Sequence, residues 1–369
     1  MTRVRGGQPS HGLKVLGRRA WPSGCRTPEN LTTNLRLGTT SMSQRALALF
    51  SLRSGHAFGE RVAAGLGVPL AAHEEREFEW GHHKSRPLER VRGRDVYVVA
   101  SLHGDAAQNV NDKLCRLLFF LGALRDADPG RLTVVAPFLC YSRKDRQTKL
   151  RDPVITRYVA TLFEAVGVDR VATVEVHNLA AFQNAFRCRT EHIETGPLVA
   201  DVLARELSGR DLVVVSPDPG GIKRAEIYRD ALSRLLGRQI PAAFVEKHRS
   251  QDIVTGEAVV GDVAHRTVVL VDDLISGGTT LARAAQACRR EGAAGVVAAA
   301  AHGAFVPEAS RTLAEAPIER IFVLDHIPPD ALDPAFVAER VYLIDSAGLI
   351  ADAICEMHAG VDGQSGAGT

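Results

Sequence analysis

The sequence is poor in several features that mark whole classes of protein. Aromatic residues make up only 5% of the 369 residues, and the six cysteines are scattered without a C-x-x-C pair. Scattered cysteines are typical of reduced thiols rather than of a disulfide scaffold, which favours a cytoplasmic protein. No apolar run approaches the roughly 18 residues that indicate a membrane span. No G-x-x-x-x-G-K-[ST] motif occurs, so a P-loop nucleotide site is excluded.

Charge is nearly balanced over the chain but unevenly placed. The net charge is +2, yet residues 1–41 carry seven Lys or Arg and one Glu. The remainder holds 38 basic and 42 acidic residues, so we expect no nucleic-acid partner. Residues 1–41 show no sustained periodicity, and we interpret them as a disordered or incorrectly assigned N-terminal extension, with an Arg-rich transit peptide as the alternative. Residues 361–369 are interpreted as a flexible tail.

Between these ends, strand-like and helix-like patterns alternate. This alternation predicts α/β layers, in which mainly parallel sheets are flanked by helices. The stretch 187–195 is a plausible boundary, which gives two domains, 42–188 and 189–360. Short apolar runs predict strands over 46–50, 96–101, 132–137, 171–176, 212–216, 242–246, 268–272, 295–301, 321–324 and 341–344. Helical periodicity is present over 111–126, 153–166, 221–236, 280–291 and 347–358.

One stretch, VVLVDDLISGGTTL (268–281), joins an apolar strand to two acids and a glycine-rich loop. Ligands of open α/β sheets bind at the carboxyl ends of the strands, where Asp272 and Asp273 would lie. A glycine-rich turn before a helix offers backbone N–H groups to a phosphate, and Thr279 or Thr280 can cap that helix. The stretch therefore predicts a phosphate site beside two carboxylates suited to hydroxyls or hydrated Mg²⁺. A Walker-B-like strand end or a plain acidic turn is the alternative.

Three other segments carry polar groups where predicted strands end. VVVSPDPGGIKRA (213–225) places Asp218 before two glycines, TVEVHNLAAF (173–182) ends a strand near His177, and CYSRKDRQTKLRDP (140–153) is a basic loop. Each has an ordinary explanation when taken alone: a common turn, a satisfied strand-end histidine, and a solvated basic face. Because all follow predicted strands, they would converge on one crevice.

Seven segments in order resemble the ribose-phosphate diphosphokinases, the family that makes phosphoribosyl pyrophosphate (PRPP). The resemblance covers about residues 50–358, and seven ordered matches are far more specific than a single phosphoribosyl motif. The segments are VRGRDVYVV (91–99), NVNDKLCRLLFFLGALRDA (109–127), FLCYSRKDR (138–146), VGVDRVATVEVH (166–177), VVSPDPGGIKRA (214–225), VEKHRS (245–250) and GDVAHRTVVLVDDLISGGTTL (261–281).

The resemblance implies two tandem phosphoribosyltransferase-like domains, of which the first contributes to nucleotide binding. Asp272 and Asp273 would hold the ribose hydroxyls of ribose 5-phosphate. Lys247 and Arg249, on a mobile loop, would be the catalytic pair. The 5-phosphate would lie in the loop formed by Ser276, Gly277, Gly278, Thr279 and Thr280.

The same resemblance assigns the remaining candidate residues. Asp218, Gly220 and Gly221 would form the pyrophosphate loop, and His177 with Asp218 would serve Mg²⁺. ATP would contact Phe78, Arg143, Lys144, Asp145 and His177.

The implied reaction transfers the diphosphoryl group of ATP to the 1-hydroxyl of ribose 5-phosphate, giving PRPP and AMP for nucleotide biosynthesis. The resemblance also implies a homo-oligomer, a dimer or hexamer, whose nucleotide site is shared between subunits. Two alternatives remain open: a non-catalytic regulatory partner with the same fold, and a base-using phosphoribosyltransferase.

The chain departs from the family pattern at three places. In the phosphate loop, Gly277 stands where Thr is usual and Thr279 where Gly is usual, so Thr279 would be strained if its backbone needs a positive φ. The family's F-x-D-G-E adenine element reads FEWGH here (78–82) and lacks both of the pattern's acids. Lys144 stands where Gln is common.

Overall fold

The computed structural model describes residues 46–250 and 253–360, without the side chains of residues 247–257. Residues 1–41, interpreted above as a disordered or incorrectly assigned extension, and residues 361–369, interpreted as a flexible tail, lie outside the described residues. All described residues belong to one compact unit, Ser43–Thr369. Within the described part of the chain, every helix is too short or too polar to span a bilayer.

The first half of the chain forms a five-stranded parallel sheet, of which four strands are short apolar runs that are largely buried on both faces. Its strands lie in the order β1-β4-β5-β6-β7. The elements in chain order are β1 (Leu47–Ser51), α1 (His56–Leu66), β2 (His73–Glu77), β3 (His83–Pro87), β4 (Asp95–Val99), α2 (Val110–Asp126), β5 (Arg131–Ala136), α3 (Ile155–Ala165), β6 (Arg170–Val174), α4 (Leu179–Ala185) and β7 (Arg189–Ile193).

The second half forms a seven-stranded sheet in the order β10-β9-β8-β11-β12-β13-β14, in which β9 and β10 pair antiparallel and the other neighbours pair parallel. Its elements are α5 (Gly196–Glu206), β8 (Leu212–Ser216), α6 (Ile222–Leu236), β9 (Ala242–Ser250), β10 (Ile253–Val260), β11 (Thr267–Leu274), α7 (Thr279–Arg290), β12 (Gly295–His302), α8 (Ala309–Ala314), β13 (Arg320–Leu324), α9 (Pro334–Arg340), β14 (Val341–Ile344) and α10 (Ala347–Ala359).

The predicted α/β class, with two mainly parallel sheets flanked by helices, is confirmed. Each predicted apolar strand and each predicted helix is present within a few residues of its expected bounds. The sequence did not reveal β2, β3, β7 or β10. The sequences of β2, β3 and β7 are HEERE, HKSRP and RTEHI, so they lack the apolar run that identifies a buried strand.

The first sheet extends past the position at which the sequence placed the domain boundary. Residues 189–193 form β7, which pairs in parallel with β6 of the first sheet. The C-terminal helix α10 packs against α1, and the ring of His358 lies 2.7 Å from the Asp95 carboxylate at the start of β4. The two halves are therefore joined at the first sheet by a segment from the end of the chain, and the division at 188/189 stays a proposal.

Candidate active site

The carboxyl ends of β6 and β11, which belong to different sheets, meet at His177 and Asp273. The Nδ1 atom of His177 lies 3.1 Å from Oδ2 of Asp273. The Asp273 side chain is almost fully buried, whereas that of His177 is partly exposed. The Asp273 carboxylate, which accepts a hydrogen bond from the His177 ring, raises the pKa of His177 above its usual value. The sequence placed both residues at strand ends, and the structure brings them into contact.

Asp272, which is partly buried, and Asp273, which is almost fully buried, form an acid pair with unequal acidities. The backbone N–H of Asp273 donates to Oδ1 of Asp272 at 2.8 Å. Burial, followed by the adjacent Asp273 carboxylate, raises the pKa of Asp272. Burial would also raise the pKa of Asp273, but the hydrogen bond with His177 and the nearby Arg224 hold it well below its usual range. Asp273 is thus the ionised member, and Asp272 takes up a proton first.

Arg224 of α6 lies among three carboxylates and was given no role by the sequence reasoning. Its side chain is only 13% exposed. Its Nη1 atom is 4.0 Å from Oδ1 of Asp272 and 3.9 Å from Oδ1 of Asp273, and its Nε atom is 4.0 Å from Oε2 of Glu175. These separations exceed hydrogen-bond length, so the guanidinium acts on the carboxylates by its charge.

Glu175 links the two sheets and was also missed. It lies two residues before His177, and its backbone has a φ of 33°, which is unusual for any residue but glycine. Its Oε1 atom accepts hydrogen bonds from the backbone N–H and the hydroxyl of Thr195, at 3.1 and 2.9 Å. The strained strand end is thereby fixed while its second carboxylate oxygen faces Arg224.

In the turn after β8, the Asp218 side chain already accepts hydrogen bonds from the glycine amides that we expected to bind a diphosphate. Oδ1 of Asp218 accepts from the N–H of Gly220 at 2.9 Å and of Gly221 at 3.2 Å. A side chain at Gly221 would place Cβ 2.6 Å from Oγ of Ser216, which requires glycine there. An anion bound to these amides would therefore have to displace the Asp218 carboxylate or bind beside it.

The N-terminus of α7, in the loop after Asp273, is not capped as the sequence predicts. Gly278 is the N-cap of α7 with a φ of 76°, and no side chain caps this helix end. The expectation that Thr279 or Thr280 caps the helix is therefore wrong. Thr279 is the first helical residue and does not have a positive φ, so the condition under which it would be strained is not met. The left-handed backbone conformation falls one residue earlier, on Gly278, and glycine adopts it without steric strain.

Two family models and several curated relatives match this chain. The model of the N-terminal domain of ribose phosphate pyrophosphokinase matches residues 47–167, and the model of the phosphoribosyl synthetase-associated domain matches residues 239–364. Ribose-phosphate pyrophosphokinase 1 of Streptococcus pyogenes is 34% identical over 323 residues, which cover 86% of this chain and 96% of the relative. The chain belongs to the ribose-phosphate pyrophosphokinase family.

A solved structure of this family agrees with the fold. The crystal structure of phosphoribosylpyrophosphate synthetase from Mycobacterium smegmatis matches with a TM-score of 0.77 and 31% sequence identity, covering 86% of this chain and all of that one. The resemblance read from the seven sequence segments is confirmed at the level of the family.

The basic loop that the family resemblance assigned to ATP lies near the His177 site. The Arg143 guanidinium opposes, and the Asp145 carboxylate favours, protonation of His177, although the contact with Asp273 has the larger effect on its pKa. Arg143 and Lys144 are exposed. Tyr141 has a φ of 60°, and its carbonyl accepts from the hydroxyl of Thr156 at 2.9 Å, which ties the loop to α3.

The adenine element of the family pattern lies at the tip of the β2–β3 hairpin. Phe78 is 48% exposed and Trp80 is 94% exposed, with a φ of 60° at Trp80. The hairpin packs on α2, where the His83 ring stacks on Phe119 with centroids 5.4 Å apart. The apolar tip is thus held out from the first sheet, and its contact with a nucleotide stays a prediction.

Two other predicted roles remain open. The backbones of Lys247 and Arg249 lie in β9, opposite Glu257 and Val254 of β10, but their side chains lie outside the described residues. Among the residues that the structure describes, no three His, Cys, Asp or Glu side chains form a group that could hold a metal. Mg²⁺ commonly binds through one or two carboxylates together with substrate phosphates, so Asp218 fits such a shared site without a preformed cage.

Asp272→Asn is expected to raise the free energy of unfolding at neutral pH. Because the folded-state pKa of Asp272 is raised, its ionisation costs stability as pH rises from the unfolded-state pKa, about 3.9, through the folded value. Asn avoids that cost, so the gain should be larger at pH 7.5 than at pH 5. Urea unfolding at both pH values measures it. The exposed Asp126→Asn is the control, and an Asp272→Asn variant less stable than wild type at pH 7.5 contradicts the prediction.

Gly277→Thr is expected to fold normally and to lower the KM for ribose 5-phosphate. A Cβ at Gly277 meets only Cγ2 of Val306, at 3.8 Å, so there is room for the side chain and for a hydroxyl beside the loop. Thr279→Gly should instead cost only about 0.3 kcal/mol of stability, because glycine is slightly less favourable in a helix than threonine. Steady-state kinetics with thermal unfolding separates the two changes, and Gly277→Ala controls for bulk without the hydroxyl. An unchanged or higher KM in Gly277→Thr contradicts the prediction.

Proposed function

We propose that this chain is a ribose-phosphate diphosphokinase that transfers the diphosphoryl group of ATP to the 1-hydroxyl of ribose 5-phosphate, giving PRPP and AMP. The observation that carries the proposal is the meeting of His177 with the Asp272–Asp273 pair at the junction of two sheets. The family membership of nearly the whole chain supports the same activity.

The acid pair is suited to bind the ribose hydroxyls. Ionised Asp273 accepts hydrogen bonds, and Asp272, whose pKa is raised, can accept or donate one according to its protonation. We assign the 5-phosphate to the loop that follows, where Gly278 is the N-cap of α7 and the backbone amides of the first turn would be available to an anion. That loop is formed by Ser276, Gly277, Gly278, Thr279 and Thr280.

The chemical step requires positioning and compensation of charge. The oxygen of the 1-hydroxyl attacks the β-phosphorus of ATP and loses its proton to solvent, the bond from that phosphorus to the α-phosphate oxygen breaks, and AMP leaves with the bonding electrons. Negative charge spreads over the transferred group, so cationic side chains directed at it accelerate the reaction. We assign that part to Lys247 and Arg249, and the binding of ATP phosphates to Arg143, Lys144 and His177. Phe78 would stack on adenine, and Asp145 would contact the nucleotide.

We propose Mg²⁺ as the cofactor, held by Asp218 and His177 together with the phosphates of the substrates. When bound, the ion would neutralise phosphate charge. Oδ1 of Asp218 accepts from two backbone amides, so its carboxylate is oriented before any ligand arrives. Gly220 and Gly221 would then let the diphosphate approach the backbone closely.

The deciding experiment measures AMP formed from ATP by protein freed of contaminating kinases, with and without ribose 5-phosphate and Mg²⁺. Release of AMP that depends on ribose 5-phosphate, with no nucleobase present, supports the proposal. If no such release is detected, the protein is better explained as a non-catalytic regulatory partner with the same fold. Activity only when a nucleobase and PRPP are supplied instead identifies a phosphoribosyltransferase.

We further propose a cytoplasmic homo-oligomer, a dimer or hexamer, in which the hairpin tip of one subunit contributes to the nucleotide site of another. The exposed aromatic rings of Phe78 and Trp80 support this proposal, because they are available to contact another subunit. Sedimentation of the wild type beside Phe78→Ser/Trp80→Ser tests whether the tip lies at a subunit contact.

A further inference from the structure

Two buried histidines face each other behind the proposed site. His302 ends β12, and His326 lies two residues beyond β13. The two residues are 4% and 2% exposed. The Nδ1 atom of His302 lies 2.9 Å from Nε2 of His326, and the rings are nearly perpendicular. Burial lowers the pKa of both rings, which favours the neutral form of each.

The surrounding groups determine which nitrogen of each ring carries the proton. Nε2 of His302 lies 2.9 Å from the carbonyl oxygen of Glu175 and 3.1 Å from that of Val174. A carbonyl oxygen can only accept, so Nε2 of His302 carries its hydrogen and Nδ1 is the acceptor. His326 must then donate through Nε2. Its Nδ1 is buried, and no donor among the described residues reaches it.

These contacts join the two strand ends that form the proposed site. Through its backbone carbonyl, His302 accepts from the N–H of Ile275 at 2.8 Å, just beyond the acid pair on β11. Through its ring, it donates to the end of β6, two residues before His177. One residue therefore connects the strand that carries Asp273 to the strand end that carries His177, and sets how closely they approach.

We propose that His302 is a positioning residue for the diphosphoryl-transfer site, in the tautomer that the carbonyls of Val174 and Glu175 require, and that His326 supports it by donating to Nδ1 of His302. The role depends on one N–H at the Nε2 position, which holds the carbonyls of Val174 and Glu175. The kinetic part of the proposal rests on the proposed function, whereas the hydrogen-bond arrangement does not.

Two substitutions at His302 separate the hydrogen bond from simple packing. In His302→Gln the amide nitrogen reaches about as far as Nε2 and can still donate to the carbonyls. In His302→Asn the shorter side chain reaches only the Nδ1 position and leaves the carbonyls without that donor. A displacement of about 1 Å in a site can lower the rate about 10²-fold, so we expect kcat/KM to fall by about that factor in the Asn variant. The Gln variant should remain at least tenfold more active than the Asn variant.

NMR of ¹⁵N-histidine-labelled protein provides a readout independent of turnover. The wild type should show His302 protonated at Nε2. The signals of the His177 ring, which report its contact with Asp273, should move in His302→Asn and stay near their wild-type positions in His302→Gln. His326→Leu removes the donor to Nδ1 but leaves both carbonyls, so His302 should stay protonated at Nε2 while its Nδ1 signal shifts, whereas His326→Gln should keep that signal near its wild-type position.

Several results would overturn the inference. Protonation of wild-type His302 at Nδ1 would contradict the hydrogen-bond arrangement. Equal losses of kcat/KM in the Gln and Asn variants, with equal losses of thermal stability and unmoved His177 signals, would show a packing role only. A wild type that forms no PRPP would contradict the proposed function, and the His177 signals would then decide the positioning role by themselves.

Discussion

Lys247→Ala and Arg249→Ala are each expected to lower kcat about 10²–10³-fold while changing the KM for ATP and ribose 5-phosphate much less. The transferred diphosphoryl group gains diffuse negative charge in the transition state, and one directed cationic donor contributes about 3–4 kcal/mol to its stabilisation. The expectation comes from the family resemblance of VEKHRS (245–250) and from the chemistry of the step. A loss in kcat rather than in KM identifies an interaction made mainly in the transition state.

Steady-state kinetics at saturating Mg²⁺ measures both constants, and matched variants control for loss of charge. Arg234→Ala removes an exposed arginine of α6 and should leave kcat near the wild-type value. Lys247→Arg and Arg249→Lys keep the charge, so they should recover part of the lost rate. Near-normal turnover in both alanine variants would mean that these two cations take no part in the chemical step.

Prediction of the fold succeeded where burial leaves a clear pattern in the sequence. Strands such as β8 (LVVVS) and β11 are covered on both faces, so an unbroken apolar run identifies them. The hairpin of β2 and β3 is polar along its length and is stabilised by contacts with α2, including the ion pair between Glu77 and Arg116. Such strands depend on tertiary partners distant in sequence, which local periodicity does not contain.

The sequence analysis singled out residues with distinctive chemistry that the structure brings together, and it missed residues defined by their partners; the roles of all of them stay predictions. His177 and the acid pair stand out because each follows an apolar run. Arg224 and Glu175 lie within segments that the sequence analysis quoted, yet their importance appears only when α6 and the two strand ends come together. The sequence likewise did not show which residue of the phosphate loop adopts the left-handed conformation. A shift of one residue places it on Gly278 and relieves Thr279.

Arg224→Met is expected to destabilise the protein by about 3–5 kcal/mol at pH 7.5, because it removes the cation among three carboxylates. Arg224 lowers the folded-state pKa of both Asp272 and Asp273, so without the guanidinium these pKa values rise and ionisation becomes less favourable in the folded protein as pH increases. The loss relative to wild type should therefore be larger at pH 7.5 than at pH 5.5. The KM for ribose 5-phosphate should rise as well, since a protonated acid pair accepts fewer hydrogen bonds from the sugar.

Urea unfolding and steady-state kinetics of Arg224→Met, Arg224→Lys and Lys223→Met test this expectation. Since Arg224 lies 3.9–4.0 Å from the carboxylate oxygens, its effect depends on charge more than on paired hydrogen bonds, and lysine should recover most of the stability. Lys223 is the exposed neighbour on the same helix, so its replacement should leave stability near the wild-type value. If Arg224→Met unfolds within about 1 kcal/mol of wild type at both pH values, the three carboxylates do not need this cation in the folded protein.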